Sequence, residues 1–215
     1  MSRSLKYDIP GTDWRIEPET LRERGLVAIF ADDVAKPVPL VVEIGFGRGE
    51  FLLDLAQRAP ETAHLGVEVS FKRTLKMARR LSRTEIRNVR LVESAAEPLL
   101  ADGLGAGAVS CFWINFPDPW PKARHARRRF IQPPTARLLA RCLSPEGVIN
   151  VATDHPEYAE WIDEVLSAEA ALVNRYAPER WRSEVPDRLP TAYELEWRAL
   201  GRSFHFFQYG LSDLA

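Results

Sequence analysis

The sequence has little of what would place it in a specialised class of protein. Only two of its 215 residues are cysteine, Cys111 and Cys142, and both lie in apolar runs. They predict buried free thiols and argue against a disulfide framework or a metal site. No stretch reaches the roughly 18 apolar residues that a membrane-spanning helix needs, and the N-terminus lacks an apolar signal core. We therefore expect a cytoplasmic protein without a membrane partner or a bound metal.

Net charge is also almost absent, because 29 basic and 30 acidic residues give a formal charge of −1. No global field draws such a molecule towards a polyanion, so any affinity for nucleic acid must come from local clusters. The length suits one domain with a single sizeable core.

Short apolar runs alternate with amphipathic segments along most of the chain. The runs that read as buried strands are LVVEIGFG, AHLGVEVS, NVRLVES, AVSCFWINF and GVINVATD. This alternation predicts an α/β fold with a mostly parallel sheet and helices on both faces. Near the end, AALVNRY and FHFFQYGL read as strands without a long crossover between them, which predicts an antiparallel pair at a sheet edge.

The chain divides into two predicted parts. Residues 1–36 look irregular, apart from one helix near PETLRERGLVAIF. The segment KPVPL marks the start of the main domain, residues 37–215, in which strands and helices alternate.

Polar residues or glycines follow five successive predicted strands. They are Glu43 with the glycines after it, Glu68, Ser94, Asn115 to Asp118, and Thr153 with Asp154. Ligands of open parallel sheets bind at the carboxyl ends of the strands. We therefore expect these side chains to converge on one site.

The first strand end carries Gly45, Gly47 and Gly49 at alternate positions. Glycines there permit a tight turn into a helix and let a ligand approach the backbone, although a turn without a ligand is the alternative interpretation. The dinucleotide fingerprint would place glycine or alanine at Glu50, and no Gly-Lys-Ser/Thr follows, which disfavours a pyrophosphate ligand. Glu43, ahead of the turn, suits a ligand with a cationic or zwitterionic end.

Glu68 ends the second predicted strand, where an acid can accept hydrogen bonds from both ribose hydroxyls. A solvated glutamate at a strand end is the simpler alternative. Together with the glycine turn, Glu68 describes an adenosine-containing ligand that lacks a pyrophosphate. S-adenosyl-L-methionine fits, since it combines a ribose, an adenine, an amino-acid end and a sulfonium.

The segment FPDPWPK places Asp118 between two prolines and close to Trp120. Proline fixes its own φ and biases the preceding residue towards an extended conformation, so the segment is expected to be stiff. Trp120 offers an apolar wall for a purine, while the carboxylate can accept hydrogen bonds from guanine N–H groups. A structural turn with an exposed aspartate is the alternative.

A basic tract follows directly in KARHARRR. Its cations are Lys122, Arg124, Arg127, Arg128 and Arg129. Because the tract adjoins the predicted pocket, a phosphate-binding arm for nucleic acid is favoured over a merely solvated face. A second basic face lies on FKRTLKMARRLSR, with Lys72, Arg73, Lys76, Arg79, Arg80 and Arg83.

Together these motifs resemble the bacterial tRNA (guanine-N7-)-methyltransferases, from about Val41 to the C-terminus. The segments that carry the resemblance are EIGFGRG, GVEVS, NFPDPWPKARHARRRF, ATDHPEYAEW and TAYELEWRALG. The resemblance implies a Rossmann-like class I methyltransferase fold and S-adenosylmethionine as methyl donor. It also implies formation of 7-methylguanosine at position 46 in the variable loop of tRNA. Residues 1–36 then become a candidate for RNA contact.

The resemblance further implies roles for individual residues. The residues implied to contact the cofactor are Glu43, Gly45, Gly47, Gly49, Glu68, Ser94 and Asp118. Asp118 is also implied to be the catalytic residue of the active site, an acidic side chain near both cofactor and base. The residues implied to contact the substrate are Lys122, Asp154, Thr191, Tyr193 and Glu194. Arg124, Arg127, Arg128 and Arg129 are expected to bind tRNA phosphates. Two positions depart from the family pattern, since Ala192 replaces a usual lysine and Ser94 a frequent acid or asparagine.

Guanine N7 has a lone pair and no proton, so it can attack a sulfonium methyl without a strong general base. Positioning is then the main task of the protein, with Asp118 or Glu194 stabilising the charge that develops on the purine. A class I methyltransferase with another acceptor and a non-catalytic RNA-binding module stay open as alternatives. A nicotinamide dehydrogenase is disfavoured by Glu50 and by the lack of an obvious acid–base histidine. The sequence leaves open whether the chain is a monomer or a homodimer.

Overall fold

The computed structural model describes residues 7–31, 33–34 and 39–212. Its strands are β1 Leu40–Ile44, β2 Ala63–Glu68, β3 Val89–Glu93, β4 Val109–Asn115, β5 Leu143–Thr153, β6 Leu172–Asn174 and β7 His205–Leu211. Its α-helices are α1 Pro18–Phe30, α2 Glu50–Arg58, α3 Phe71–Leu81, α4 Ala96–Pro98, α5 Pro133–Cys142, α6 Pro156–Ser167 and α7 Ala192–Arg198. A π-helical turn, Leu99–Gly103, continues α4, and a 3-10 helix spans Ala123–Arg128.

The strands form one sheet in the order β3-β2-β1-β4-β5-β7-β6. The first five are parallel, and β1 lies between β2 and β4, so that Val42 pairs with both Leu65 and Phe112. β7 runs antiparallel to both β5 and β6, and β6 lies at the edge. The predicted mostly parallel α/β fold and the antiparallel pair near the end of the chain are therefore confirmed.

The core lies on both faces of the sheet because successive strand side chains point in opposite directions. On β3, Leu91 packs in a cluster with Leu52 of α2 and Met77 of α3. Its neighbour Val92 packs in the larger cluster, which includes side chains of α1, α5 and α6. Both strand residues are fully buried, so helices cover each face as the alternating pattern predicts.

The described part of the N-terminal segment packs onto the main domain. Trp14 accepts a hydrogen bond from the Leu91 N–H and Ile16 donates one back to the Leu91 carbonyl, at 3.0 and 2.9 Å. The Arg90 guanidinium lies 4.6 Å from the ring centroid of Trp14 and 4.9 Å from that of Phe30. The predicted helix is present as α1. Residues 1–6 and the predicted domain boundary near residue 36 lie outside the described residues.

The two cysteines are both free, as predicted, but only Cys142 is fully buried. Cys111 is partly exposed, and its Sγ accepts a hydrogen bond from Nδ2 of Asn150 at 3.2 Å. Among residues 7–31, 33–34 and 39–212, no group of three or more metal-ligating side chains is found. In the same residues, no helix combines the length and the apolar character needed to cross a bilayer.

Candidate active site

A cavity of about 520 Å³ opens at the carboxyl ends of β1, β4 and β5. It lies where the strand order reverses between β1 and β4, the place at which open α/β sheets bind ligands. Predicted site residues that line it are Glu43, Gly45, Gly47, Asp118, Asp154, Thr191 and Tyr193. The expected convergence of strand ends is thus present at three of the five strands.

The glycine turn at the end of β1 has a backbone conformation that residues with a side chain rarely adopt. Gly45, Gly47 and Gly49 have φ values of 74°, 57° and 78°, all in the left-handed region. A Cβ atom on Gly49 would also lie 2.2 Å from Sδ of Met77, which packs beneath the turn. Gly49 therefore serves close packing of α3 against the start of α2, and Gly45 and Gly47 face the cavity.

Glu68 braces this turn from the end of β2. Its carboxylate accepts hydrogen bonds from the N–H groups of Gly47 and Ser70, both at 3.0 Å, and lies 3.5 Å from the Arg73 guanidinium. Ser70 is the N-cap of α3, so Glu68 ties the turn to the start of that helix. The side chain is buried and does not line the cavity, although its oxygens retain lone pairs for further donors.

Glu43 presents an unsatisfied carboxylate to the cavity. The side chain is only 3% exposed, and its Oε1 accepts a 3.5 Å hydrogen bond from Nδ2 of Asn115. Its Oε2 is buried and has no hydrogen-bond partner among the described residues. Burial, together with a smaller contribution from the nearby Glu68 carboxylate, raises the pKa of Glu43 to about 8. A cationic group in the cavity would satisfy this oxygen and restore its charge.

Asp118 is exposed beside the same cavity, and its carboxylate makes no hydrogen bond or ion pair with any described residue. Two of the three residues that precede a proline in this segment depart from the extended bias that proline imposes. Phe116, before Pro117, has φ 53°, and Trp120, before Pro121, has φ 44°. These strained conformations persist only where surrounding contacts impose them.

Aromatic packing imposes the first of them. Phe116 donates its N–H to the Ala152 carbonyl at 2.8 Å, and its ring centroid lies 4.9 Å from that of Tyr193 and 5.6 Å from that of Phe204. Trp120 packs elsewhere, edge-on to His125 at 5.8 Å. The predicted apolar wall beside Asp118 is therefore supplied by Phe116 and the prolines, which line the cavity, and not by Trp120.

The basic tract separates into two groups. Lys122, Arg124, Arg127 and Arg128 are exposed on and around the 3-10 helix. Arg129 is buried, with 9% exposure, and its Nε donates to the Pro119 carbonyl at 2.9 Å. The expectation that Arg129 contacts phosphate does not fit this position, because the surrounding side chains cover its guanidinium.

Two residues near the end of the chain bring α7 to the cavity. Thr191 caps α7 by accepting the Glu194 N–H at 3.0 Å. Tyr193 donates its hydroxyl to Oδ2 of Asp154 at 3.0 Å, and Arg202 forms an ion pair with the same carboxylate. Arg202 also lines the cavity and stacks on Trp197, and its side chain was not predicted to belong to the site.

Glu194 is not brought into the cavity. It is 4% exposed and is paired with Arg188 and, at 3.1 Å, with Arg198. Arg188 in turn donates to Oδ1 of Asn115 at 2.8 Å, and Asn115 contacts Glu43. A buried polar chain therefore runs from α7 to the acid at the end of β1, and the local sequence pattern around Arg188 gave no sign of it.

Two further predicted residues lie outside the lining of this cavity. Ser94 is partly exposed, and its hydroxyl donates to the Ala95 carbonyl at 2.8 Å. Its backbone N–H donates to the Glu68 carbonyl at 3.2 Å, which places it beside the end of β2. Lys122 is exposed at the N-cap of the 3-10 helix.

The sheet order, the glycine turn and the cavity at the strand reversal together define the class I methyltransferase fold. Two solved structures share this fold. The antibiotic-resistance methyltransferase Kmr aligns with a TM-score of 0.60 and 18% identity, over 86% of this chain and 92% of Kmr. A variant of the 16S rRNA (adenine(1408)-N(1))-methyltransferase from Catenulisporales acidiphilia, solved with the cosubstrate SAM, aligns with a TM-score of 0.58 and 14% identity. It matches over 92% of both chains.

Sequence comparison identifies the family within this class. Residues 37–207 match a family model described as "Putative methyltransferase". The tRNA (guanine-N(7)-)-methyltransferase of Leifsonia xyli subsp. xyli is 41% identical, over 81% of this chain and 77% of that protein. The protein of the same name from Halorhodospira halophila is 35% identical, over 88% and 81% of the two chains. The chain belongs to the tRNA (guanine-N7-)-methyltransferase family.

Proposed function

We propose that this protein transfers the methyl group of S-adenosylmethionine to N7 of guanosine 46 in the variable loop of tRNA. The observation that carries the proposal is that Glu43, with its unpartnered oxygen, and the exposed Asp118 line the same cavity. The names of the relatives support guanine N7 in tRNA as the acceptor. Such a protein acts in the cytoplasm, where tRNA is found.

The residues around the cavity fit S-adenosylmethionine. Glu43 would bind its ammonium group, because an unpartnered buried carboxylate oxygen calls for a cation. Gly45 and Gly47, which line the cavity, would let the adenosyl part approach the backbone. Glu68 lies behind this turn, and its remaining lone pairs would accept hydrogen bonds from the ribose hydroxyls. When bound, the cofactor supplies an electrophilic methyl group on a sulfonium.

Asp118 would hold the guanine base. Its carboxylate has no partner among the described residues, so it is free to accept hydrogen bonds from the N1–H and N2–H groups of the base. Because N7 already has a lone pair, Asp118 need not act as a strong base. Its contribution is to align the purine and to stabilise the positive charge that forms on it.

Asp154, Thr191 and Tyr193 would complete the substrate side of the cavity, since all three line it. Glu194 would act indirectly, because its carboxylate is occupied by Arg188 and Arg198. It would fix the position of α7 and, with it, that of Tyr193.

Two basic surfaces would bind the tRNA backbone. The first consists of Lys122, Arg124, Arg127 and Arg128, next to Asp118 in the chain. The second is a groove along α3 that is lined by Lys72, Arg73, Lys76 and Arg80. Gly47, Arg48 and Arg73 line both this groove and the main cavity, so the two are continuous. Contacts to phosphate at these surfaces would set the register of tRNA and not read its sequence.

The proposal is tested by methylation of defined RNA. Purified protein is incubated with radiolabelled S-adenosylmethionine and a tRNA transcript, and the product is mapped by chemical cleavage at 7-methylguanosine. We expect label at guanosine 46 and none in a transcript with adenosine at that position. Label that persists in this control would contradict the assigned position. Label only in a ribosomal RNA fragment or a small acceptor would overturn the assignment of tRNA.

A further inference from the structure

We infer that Arg129 is a positioning residue that fixes the loop carrying Asp118. Arg129 is buried, and its Nε donates a 2.9 Å hydrogen bond to the carbonyl of Pro119, the residue directly after Asp118. Burial of a guanidinium costs desolvation free energy, which its hydrogen bonds must offset. The hydrogen bond from Arg129 to the backbone of this loop is therefore a specific structural contact.

The side chain of Arg129 is itself held by α6. Its guanidinium carbon lies 5.2 Å from the ring centroid of Tyr158 and 5.7 Å from that of Trp161. Tyr158 is fully buried, and Trp161 Nε1 donates to the Ile131 carbonyl at 2.7 Å, so both rings are fixed in place. Stacking against two anchored aromatic rings holds the guanidinium in one position.

The loop needs such a support because Asp118 has none of its own. Its carboxylate has no partner among the described residues, and the residues at either end of the Pro-Asp-Pro segment, Phe116 and Trp120, have left-handed φ values. Phe116 is held on one side by its packing against Tyr193 and Phe204. Arg129 supplies the hold on the other side, through the Pro119 carbonyl.

Consecutive arginines therefore have different tasks. Arg127 and Arg128 are exposed and suit phosphate contact, whereas Arg129 points inwards to the loop. The kinetic consequence rests on the proposed function, because it is read from tRNA methylation. The positional consequence does not, since it can be measured on the protein alone.

The test compares R129M and R129K with R127M as a matched control. In R129M we expect kcat for tRNA methylation to fall at least about tenfold, because a misplaced contact group loses alignment with N7. The KM for tRNA and the Kd for S-adenosylmethionine should stay within about twofold. R129K keeps a charged donor without the planar stack, so its kcat should lie between those of R129M and the parent protein. In R127M we expect the reverse pattern, a higher KM with kcat unchanged.

Hydrogen exchange of the free protein measures the positioning directly. The Phe116 amide, which donates to the Ala152 carbonyl at 2.8 Å at the start of this loop, should exchange faster in R129M than in the parent protein, and at the parent rate in R127M. If R129M does not fold, R129K carries both comparisons.

Unchanged exchange, or faster exchange without a loss of kcat, would overturn the inference. A rise in KM and a lower salt dependence like those of R127M would make Arg129 a phosphate contact instead. If the parent protein does not methylate tRNA, the proposed function fails and the exchange comparison still decides the role of Arg129.

Discussion

Burial of the Glu43 carboxyl group makes its charged form costly for folding, and the same burial leaves an oxygen that favours binding of a cationic ligand. Its folded-state pKa is about 8, well above its ordinary value of 4.5, chiefly because burial disfavours the charged form. The folded chain therefore binds this proton more tightly than the unfolded chain. The resulting stability is present at low pH and is lost as pH rises from about 4.5 to about 8.

Substitution of Glu43 by glutamine should remove this pH dependence. We expect E43Q to be more stable than the parent protein at pH 9, by on the order of 3 kcal/mol, and similar to it near pH 5. Thermal melting across this range checks the prediction, with calorimetry for S-adenosylmethionine affinity, which should fall. Melting curves of the two proteins that stay parallel at every pH would show that Glu43 is not buried as a neutral acid.

Asp118 should matter for turnover and not for folding, because it is exposed and has no partner among the described residues. We expect D118A to lower kcat for tRNA methylation by at least about 100-fold while leaving the affinity for S-adenosylmethionine within a few fold. D102A, at another exposed acid, serves as the control. Near-normal turnover of D118A would remove Asp118 from the mechanism.

At the scale of elements, α7 depends on the ion pairs that its Glu194 makes with Arg188 and Arg198. We expect E194A to lower the free energy of unfolding by about 3 kcal/mol, because it leaves the buried Arg188 without a counter-charge. E184A removes an exposed partner of Arg198 and should cost less than about 0.5 kcal/mol. Denaturant titration distinguishes the two variants. Equal losses in the free energy of unfolding would show that the buried ion pair contributes no more than the exposed one.

Periodicity predicted the strands and helices that decide the fold, because a buried strand of a parallel sheet appears in the sequence as a short apolar run. It did not predict α7, since its seven residues bury mainly Glu194. The strand ends predicted Glu43 and Asp118 at one cavity. The burial of Arg129 and Arg188 was not predictable in this way, because their partners, such as Tyr158 and Asn115, are brought to them only by the tertiary fold.

At the scale of the whole molecule, the near-zero net charge hides an uneven surface. The exposed cations on α3 line a groove that is continuous with the main cavity, and those around the 3-10 helix follow Asp118 in the chain. Arg73 and Arg80 are each paired with an acid there, Glu68 and Glu50, whereas Lys72 and Lys76 have no acidic partner among the described residues. Association with a polyanion then depends on where the charges lie and not on their total.

Removal of two α3 cations should lower the salt dependence of tRNA binding. For K72Q/K76Q we expect the magnitude of the slope of log affinity against log salt to fall by about 1.5. The reason is that fewer phosphate contacts form, so that binding releases fewer counterions. The control R58Q/R137Q removes equal charge from α2 and α5, away from both cavities, and should leave the slope unchanged. Equal slopes in the two variants would make the α3 face a solvated surface.

The position of β7 between β5 and β6 imposes an order on assembly during synthesis. β6 is synthesised earlier, yet among the described strands it pairs with β7 alone. Because β7 begins about thirty residues later, β6 can join the sheet only after that segment has been made. Until then the edge of β5, the strand that ends at Thr153 just before Asp154, stays open. A nascent chain halted before His205 therefore exposes an unpaired edge that can recruit another chain. Completion of the sheet is thus a late event in the synthesis of the chain.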